Sequence, residues 1–245
     1  MAETPAPQTR DMTATALWQG VIAMLRADFS VLFAVIAPFT LLVAMVAELF
    51  GPEPPTTLAE FTPRVAVSLL LIPSIIGAFG QLALIALLTK PGNTPRQAFS
   101  RAAAALLPYL AAVLIITPLT TLGLVLLFVP GLYLFGRMIL VGPVIVVEGL
   151  RPIAAVRRSW ALTAPRGGAI LWFIVLALLF VVGASVLASG IGAALAVVLT
   201  AVGLKGVASF VAALVGAVIS TLFTMANAAA AVVIYRRLLD VPALS

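Results

Sequence analysis

The sequence contains no cysteine and no histidine. Without cysteine there is no disulfide, and the redox state of the compartment leaves no mark on the chain. The same two absences remove thiol nucleophiles, histidine acid–base chemistry and the usual zinc ligands. Charge is scarce as well. Asp, Glu, Lys and Arg make up 9% of the 245 residues, against roughly 25% in a soluble domain. A soluble fold of this length cannot hide a composition that is 63% hydrophobic, so lipid is the expected solvent. The polar start of the chain lacks a basic segment followed by a short apolar core. The first span is therefore expected to remain in the protein and act as its own insertion signal.

What is present is a series of apolar runs. A helix needs about 20 apolar residues to cross the hydrocarbon. Candidate spans cover 29–49, 65–88, 106–129, 132–147, 169–189 and 207–235. The expected fold is all-α: a polytopic transmembrane helical bundle of about six spans. It divides into a flexible cytoplasmic N-terminus (1–12), one transmembrane domain (13–238) and a cytoplasmic tail (239–245). The third and fourth spans are joined by Pro130-Gly131, a tight helix-breaking turn. The fourth is short and holds Pro143, which suits a thin or protein-covered place. The stretch 190–205 is apolar but short, and reads equally as a helical extension or a surface-lying segment.

Lysine and arginine orient the chain. Arg10, Arg26, Lys90, Arg96, Arg101, Arg151, Arg157, Arg158, Arg166, Arg236 and Arg237 fall on one set of connecting segments, and only Arg64 and Lys205 on the other. This asymmetry alternates correctly with six spans and predicts that both termini are cytoplasmic. It also accounts for the net charge of +6 as topology and as contact with anionic head groups. The basic residues form no aromatic-interleaved patch, so nucleic acid is not an expected partner.

Each inward segment carries a short amphipathic pattern ahead of a hairpin of spans. The first covers 13–28, with Leu17, Trp18, Val21 and Leu25 on its apolar side. The second opens at Thr94-Pro95-Arg96-Gln97, a capping box with proline at the first helical position. The third opens at Arg151-Pro152, with Ile153, Val156 and Trp160 on one face and Arg157 and Arg158 on the other, which suits the water–lipid boundary. Three such interfacial helices would make the chain three copies of one helix-hairpin unit. The plainer reading, that any inward loop before a hairpin is basic and amphipathic, stands beside it.

The most specific stretch runs Val129-Pro130-Gly131-Leu132-Tyr133-Leu134, then Arg137, Pro143, Glu148-Gly149, Ala155, Arg158-Ser159-Trp160 and Leu162-Thr163. It resembles the membrane domain fused to some bacterial glycerophosphodiester phosphodiesterases, and the stand-alone inner-membrane relatives of that domain. In the fused proteins the phosphodiester chemistry belongs to a separate soluble domain, whose histidine and carboxylate metal site has no counterpart here. The resemblance therefore implies a fold and a bacterial inner membrane rather than hydrolysis.

Four residues of this stretch are candidates for a polar site or a structural role: Arg137, Glu148, Arg158 and Trp160. Arg137 lies well inside a span, where a buried arginine costs at least about 2.5–3.5 kcal/mol and must face protein or water. Glu148 follows eleven residues later, about 16 Å away along a regular helix, too far to pair with it. One reading makes Arg137 part of a polar pathway or head-group site. The other makes it a clamp on carbonyls freed by the Pro130-Gly131 break, with Glu148 bound to Arg151, Arg157 or Arg158.

The last span carries Ala208, Ala212, Gly216, Ser220, Thr224 and Ala228, small residues at every fourth position. Such a ridge lets helix backbones approach closely. It is expected to pack on the preceding span, with homodimerisation as the alternative and Asn227 as an interhelical hydrogen-bonding group. Pro38, Pro73, Pro118 and Pro143 put a proline inside each of the first four spans. Thr117, Thr120 and Thr121 stand ready to satisfy a freed carbonyl, and Gln81 needs a partner.

No nucleophile and base, and no carboxylate cluster, sit together at depth. The expectation is a non-enzymatic membrane protein without cofactor or metal that organises lipids or a protein partner. A small transporter or channel near Arg137 is the alternative, and a lipid-modifying enzyme ranks third.

Overall fold

The structure, a computed structural model, describes residues 12–50, 62–90 and 92–239. Residues 1–11, 51–61, 91 and 240–245 lie outside the described residues. All elements among the described residues are helical. Six stretches are long and apolar enough to cross a membrane: Ala14–Met45, Ile72–Thr89, Pro95–Leu126, Phe128–Glu148, Pro152–Ala201 and Gly206–Leu238. The chain is a multi-pass helical membrane protein.

Helix α1 (Ala14–Phe50) joins the first amphipathic arm to the first span and breaks at Asp28, whose φ of −125° and ψ of 22° are not helical. A short α2 (Pro63–Ala66) runs through a π-type turn (Val67–Leu71) into α3 (Ile72–Thr89). Helix α4 (Pro95–Leu126) begins with the expected capping box: Thr94 accepts from the Gln97 amide, and Gln97 accepts from the Thr94 amide. The fourth span is two helices, α5 (Phe128–Met138) and α6 (Val141–Glu148). Then come α7 (Pro152–Thr163), α8 (Gly167–Ala201) and α9 (Lys205–Leu238).

The three arms meet their spans differently. The first kinks at Asp28. The second continues unbroken into its span, because the alanine run 102–105 is strongly helix-forming. The third stands apart as α7, because Pro165 in the turn Ala164–Arg166 ends the helix.

The prolines likewise divide. Pro38 and Pro118 lie inside helices. Pro143 instead falls in the first turn of α6, where the missing N–H has no intrahelical partner to lose, and Pro73 follows directly on the π-type turn within a continuous helical run. Near Pro118, the Thr120 hydroxyl donates to the Ile116 carbonyl at 3.0 Å.

The break after the third span is at Leu127 rather than at Pro130-Gly131. Leu127 is extended (φ −150°, ψ 106°), and Pro130 sits in the first turn of α5. Gly131 has a packing role: a Cβ there would lie 2.6 Å from Leu124 Cα, so only glycine lets α4 and α5 touch backbone to backbone. The stretch 190–201 continues α8 as helix, and the chain then reverses over Val202–Leu204, with Gly203 at φ +84°.

Helix α3 is the centre of the bundle. Leu82, Ala83, Leu84 and Ala86 are fully buried, and α1, α4, α6 and α9 pack around this helix. The most extensive contact joins α1 to α9, and Thr40 and Thr221 share a 2.5 Å hydrogen bond across it. The end of α9 is tied to its neighbours by arginine. Arg237 Nη2 donates to the Ala16 carbonyl at 2.8 Å, and Arg236 Nη2 donates to the Leu88 carbonyl in the last turn of α3. These contacts bring the start of α1 and the ends of α3 and α9 to one end of the bundle. The core is dense near this end, and sparse where α4 meets α5 and along α8 beyond residue 176. There Leu126 and Leu187 are 68% and 70% exposed, as befits side chains facing lipid.

Candidate functional site

The 35-residue stretch that stands out in the sequence folds into one local unit. Helices α5 and α6 descend to Glu148, Gly149 reverses the chain at φ +65°, and α7 returns along them. Gly149 donates its amide to the Ile145 carbonyl at 3.1 Å, the left-handed cap that glycine allows at a helix end. Arg151, extended, then feeds Pro152 into the first turn of α7.

Arg137, in the last turn of α5, is 7% exposed. Its guanidinium lies 4.8 Å from the ring centroids of both Tyr133 and Trp160, and the two rings meet edge to face at 6.5 Å. Nη1 donates to the Trp160 carbonyl and to Thr163 Oγ1, both at 3.4 Å, and Nη2 donates to the Tyr133 hydroxyl. In return, Ser159 Oγ donates to the Arg137 carbonyl at 2.6 Å. Thr163 Oγ1 donates to the Ser159 carbonyl at 2.8 Å, and both hydroxyl residues are fully buried. The buried Nε has no hydrogen-bond partner among the described residues. Flanking aromatic faces ease the charge without satisfying that proton.

This arrangement is a clamp, but not on the carbonyls expected from the sequence. The Leu127 carbonyl at the break accepts from the Gly131 amide at 3.1 Å, so it is not free. A helical side chain leans toward the helix N-terminus, and at this point that direction leads Arg137 to Tyr133 one turn back and to the last turn of α7. The clamp therefore joins the fourth span to the interfacial helix.

Glu148 forms a second junction. Arg158 Nε donates to its carboxylate at 3.1 and 3.4 Å, and the Tyr235 hydroxyl donates to Oε1 at 3.0 Å. Of the three arginines considered for Glu148, Arg158 is the one that pairs. The residues Arg158 and Glu148 are partly exposed, 41% and 23%, so the ion pair is screened and weak, while its geometry fixes α6, α7 and α9 together. The four candidates thus fall into two pairs, Arg137 with Trp160 and Glu148 with Arg158.

Tyr133, Ser159 and Thr163 were visible as motif residues without a role. Tyr133 lies four residues before Arg137, and Ser159 four before Thr163. That spacing puts each pair on one helix face, a signal that could have linked them. Tyr235 had no such signal.

The small-residue ridge requires correction. Ala208 and Ala228 are buried and Thr224 is half-buried, but Ala212, Gly216 and Ser220 are exposed. A Cβ added to Gly216 would meet nothing within 4 Å. The face of α9 that packs instead carries Ala217, Thr221, Met225, Ala229 and Val232, all buried. Helix α9 turns this way because its largest partner is α1, with α8 touching it less. Asn227 and Gln81 are half-buried; on α9 it is Thr221 that makes a side-chain hydrogen bond to α1, with Thr40.

Among the described residues no three His, Cys, Asp or Glu side chains group as metal ligands. Outside the two clamps, the basic end presents exposed Arg26, Lys90, Arg96, Arg151 and Arg157. On α7, Ile153 and Trp160 share the exposed face with Arg157, while Val156 and Arg158 are half-buried, so the expected separation of apolar and basic residues onto opposite faces is not what the helix shows: Arg158 turns inward to Glu148. The chain matched no family model, no curated protein and no solved structure.

Proposed function

We propose that this chain is a non-enzymatic, multi-pass protein of the bacterial inner membrane that organises anionic lipids at its cytoplasmic face, with both termini on that side. The observation that carries the reading is the division of labour among the arginines at one end of the bundle. Arg137, Arg236 and Arg237 are spent on backbone and side-chain ties within the fold. Arg26, Arg96, Arg151 and Arg157 remain exposed, the last beside the exposed Ile153 and Trp160 of α7. A cation near an anionic membrane surface contributes about 1 kcal/mol. The likeness of 129–163 to the membrane domain of the phosphodiesterases supports the same membrane and supplies no hydrolytic residues.

The test is lipid retention. The protein, purified in mild detergent from membranes containing phosphatidylglycerol and phosphatidylethanolamine, is expected to carry phosphatidylglycerol above its membrane share. Neutralising Arg151 and Arg157 together should reduce that excess. Equal enrichment of both lipids in the parent would defeat the reading.

A further inference from the structure

We infer that the groove between α1 and the first turns of α4 is a site for one anionic phospholipid; the inference rests on the lipid reading above and deepens it. Helices α1 and α4 both pack on α3 but scarcely on each other. The gap between them is an open groove of about 410 Å³ lined by Ser30, Val31, Ala34, Val35, Pro95 and Phe99. That volume falls in the range of about 300–1,000 Å³ usual for small-molecule sites.

The groove is firm at the Phe99 wall. Phe99 stacks on Phe79 at 6.0 Å and meets Phe39 edge to face at 5.8 Å, so the aromatic surface under the groove is set by three elements. Ser30 is the one hydroxyl in an otherwise apolar lining, which suits an acyl chain rather than a polar solute.

Charge complementarity identifies the occupant's other end. Arg26 stands four residues before Ser30, across the kink at Asp28, and Arg96 directly follows the lining residue Pro95; both are exposed. Asp28, exposed at the kink between Arg26 and Ser30, is the acid of this stretch of α1, and the two arginines outweigh it. The capping box of Thr94 and Gln97 already engages the first amides of α4. Phosphate recognition therefore falls to the arginine side chains. An apolar trough with a cationic rim at the basic end of a membrane bundle matches a phospholipid whose head group bears net negative charge.

The experiment uses the full chain in mild detergent, titrated with phosphatidylglycerol or phosphatidylcholine and read by native mass spectrometry. Ala34→Trp fills the groove from an exposed position, Arg26→Gln and Arg96→Gln remove the rim, and Ala212→Trp adds the same bulk at an exposed position of α9 away from the groove. The first phosphatidylglycerol should bind at least about tenfold more weakly to A34W. It should bind about fivefold more weakly to each rim variant, and as in the parent to A212W. First-lipid binding to A34W equal to the parent's overturns the groove. If the preference for phosphatidylglycerol over phosphatidylcholine survives in that case, lipid is held elsewhere on the basic face and the broader reading stands. A parent with no such preference removes both. If A34W lowers the melting temperature, the two rim variants decide alone, and unchanged binding in both overturns the site.

Discussion

Arg137 holds two acceptors on α7 while stacked between Tyr133 and Trp160, and each part of that contact depends on a planar cation. Lysine keeps the charge but loses the fork of donors and the face that stacks. Leucine removes both hydrogen bonds to α7 and the one to the Tyr133 hydroxyl; Thr163 Oγ1 still reaches the Ser159 and Trp160 carbonyls, so a loss of about 1–3 kcal/mol in all is expected. Thermal melts in detergent should rank the parent above Arg137→Lys and that above Arg137→Leu. A leucine variant as stable as its parent but lacking lipid or anion binding would make Arg137 the functional centre and revive the transporter alternative. The Glu148 junction should respond more mildly. Tyr235→Phe removes one hydrogen bond to a half-buried carboxylate, and a loss of about 1 kcal/mol is expected from the same melts; no change at all would mean that Tyr235 does not support the junction.

At the scale of elements, contacts decide which small residues matter. Gly131 abuts the Leu124 backbone, so Gly131→Ala must push α4 from α5, an overpacking that should cost about 1–3 kcal/mol. On α9 the comparison is between Gly216 and Ala228, both members of the ridge seen in the sequence. Gly216→Leu projects into open surroundings and should melt within a degree or two of the parent, as surface changes usually do. Ala228→Leu enters a fully buried position and should destabilise strongly. A loss in Gly216→Leu as large as that in Ala228→Leu would show that α9 packs through its ridge after all. The four-residue spacing was legible, but spacing defines a face without saying what stands opposite it.

Across the whole molecule, the distribution of arginine and lysine predicts a cytoplasmic basic end, and the absence of native cysteine makes this directly testable. Val202, exposed at the α8–α9 reversal, and Arg151, exposed before α7, belong to opposite ends. In intact cells, Val202→Cys should react with an impermeant thiol reagent and Arg151→Cys should not; the reverse pattern would invert the protein. Membrane residence, the six spans and the Thr94 cap were determined by the sequence alone, because hydropathy sums over about 20 neighbouring residues and a cap closes within four. Tertiary structure alone decided the rest. It set the break at Leu127, the outward turn of Gly216, the reach of Arg137 to α7 and the pairing of Glu148 with Tyr235. Each of these depends on which helix stands beside another, and a local pattern of residues carries no record of a neighbour 87 positions away.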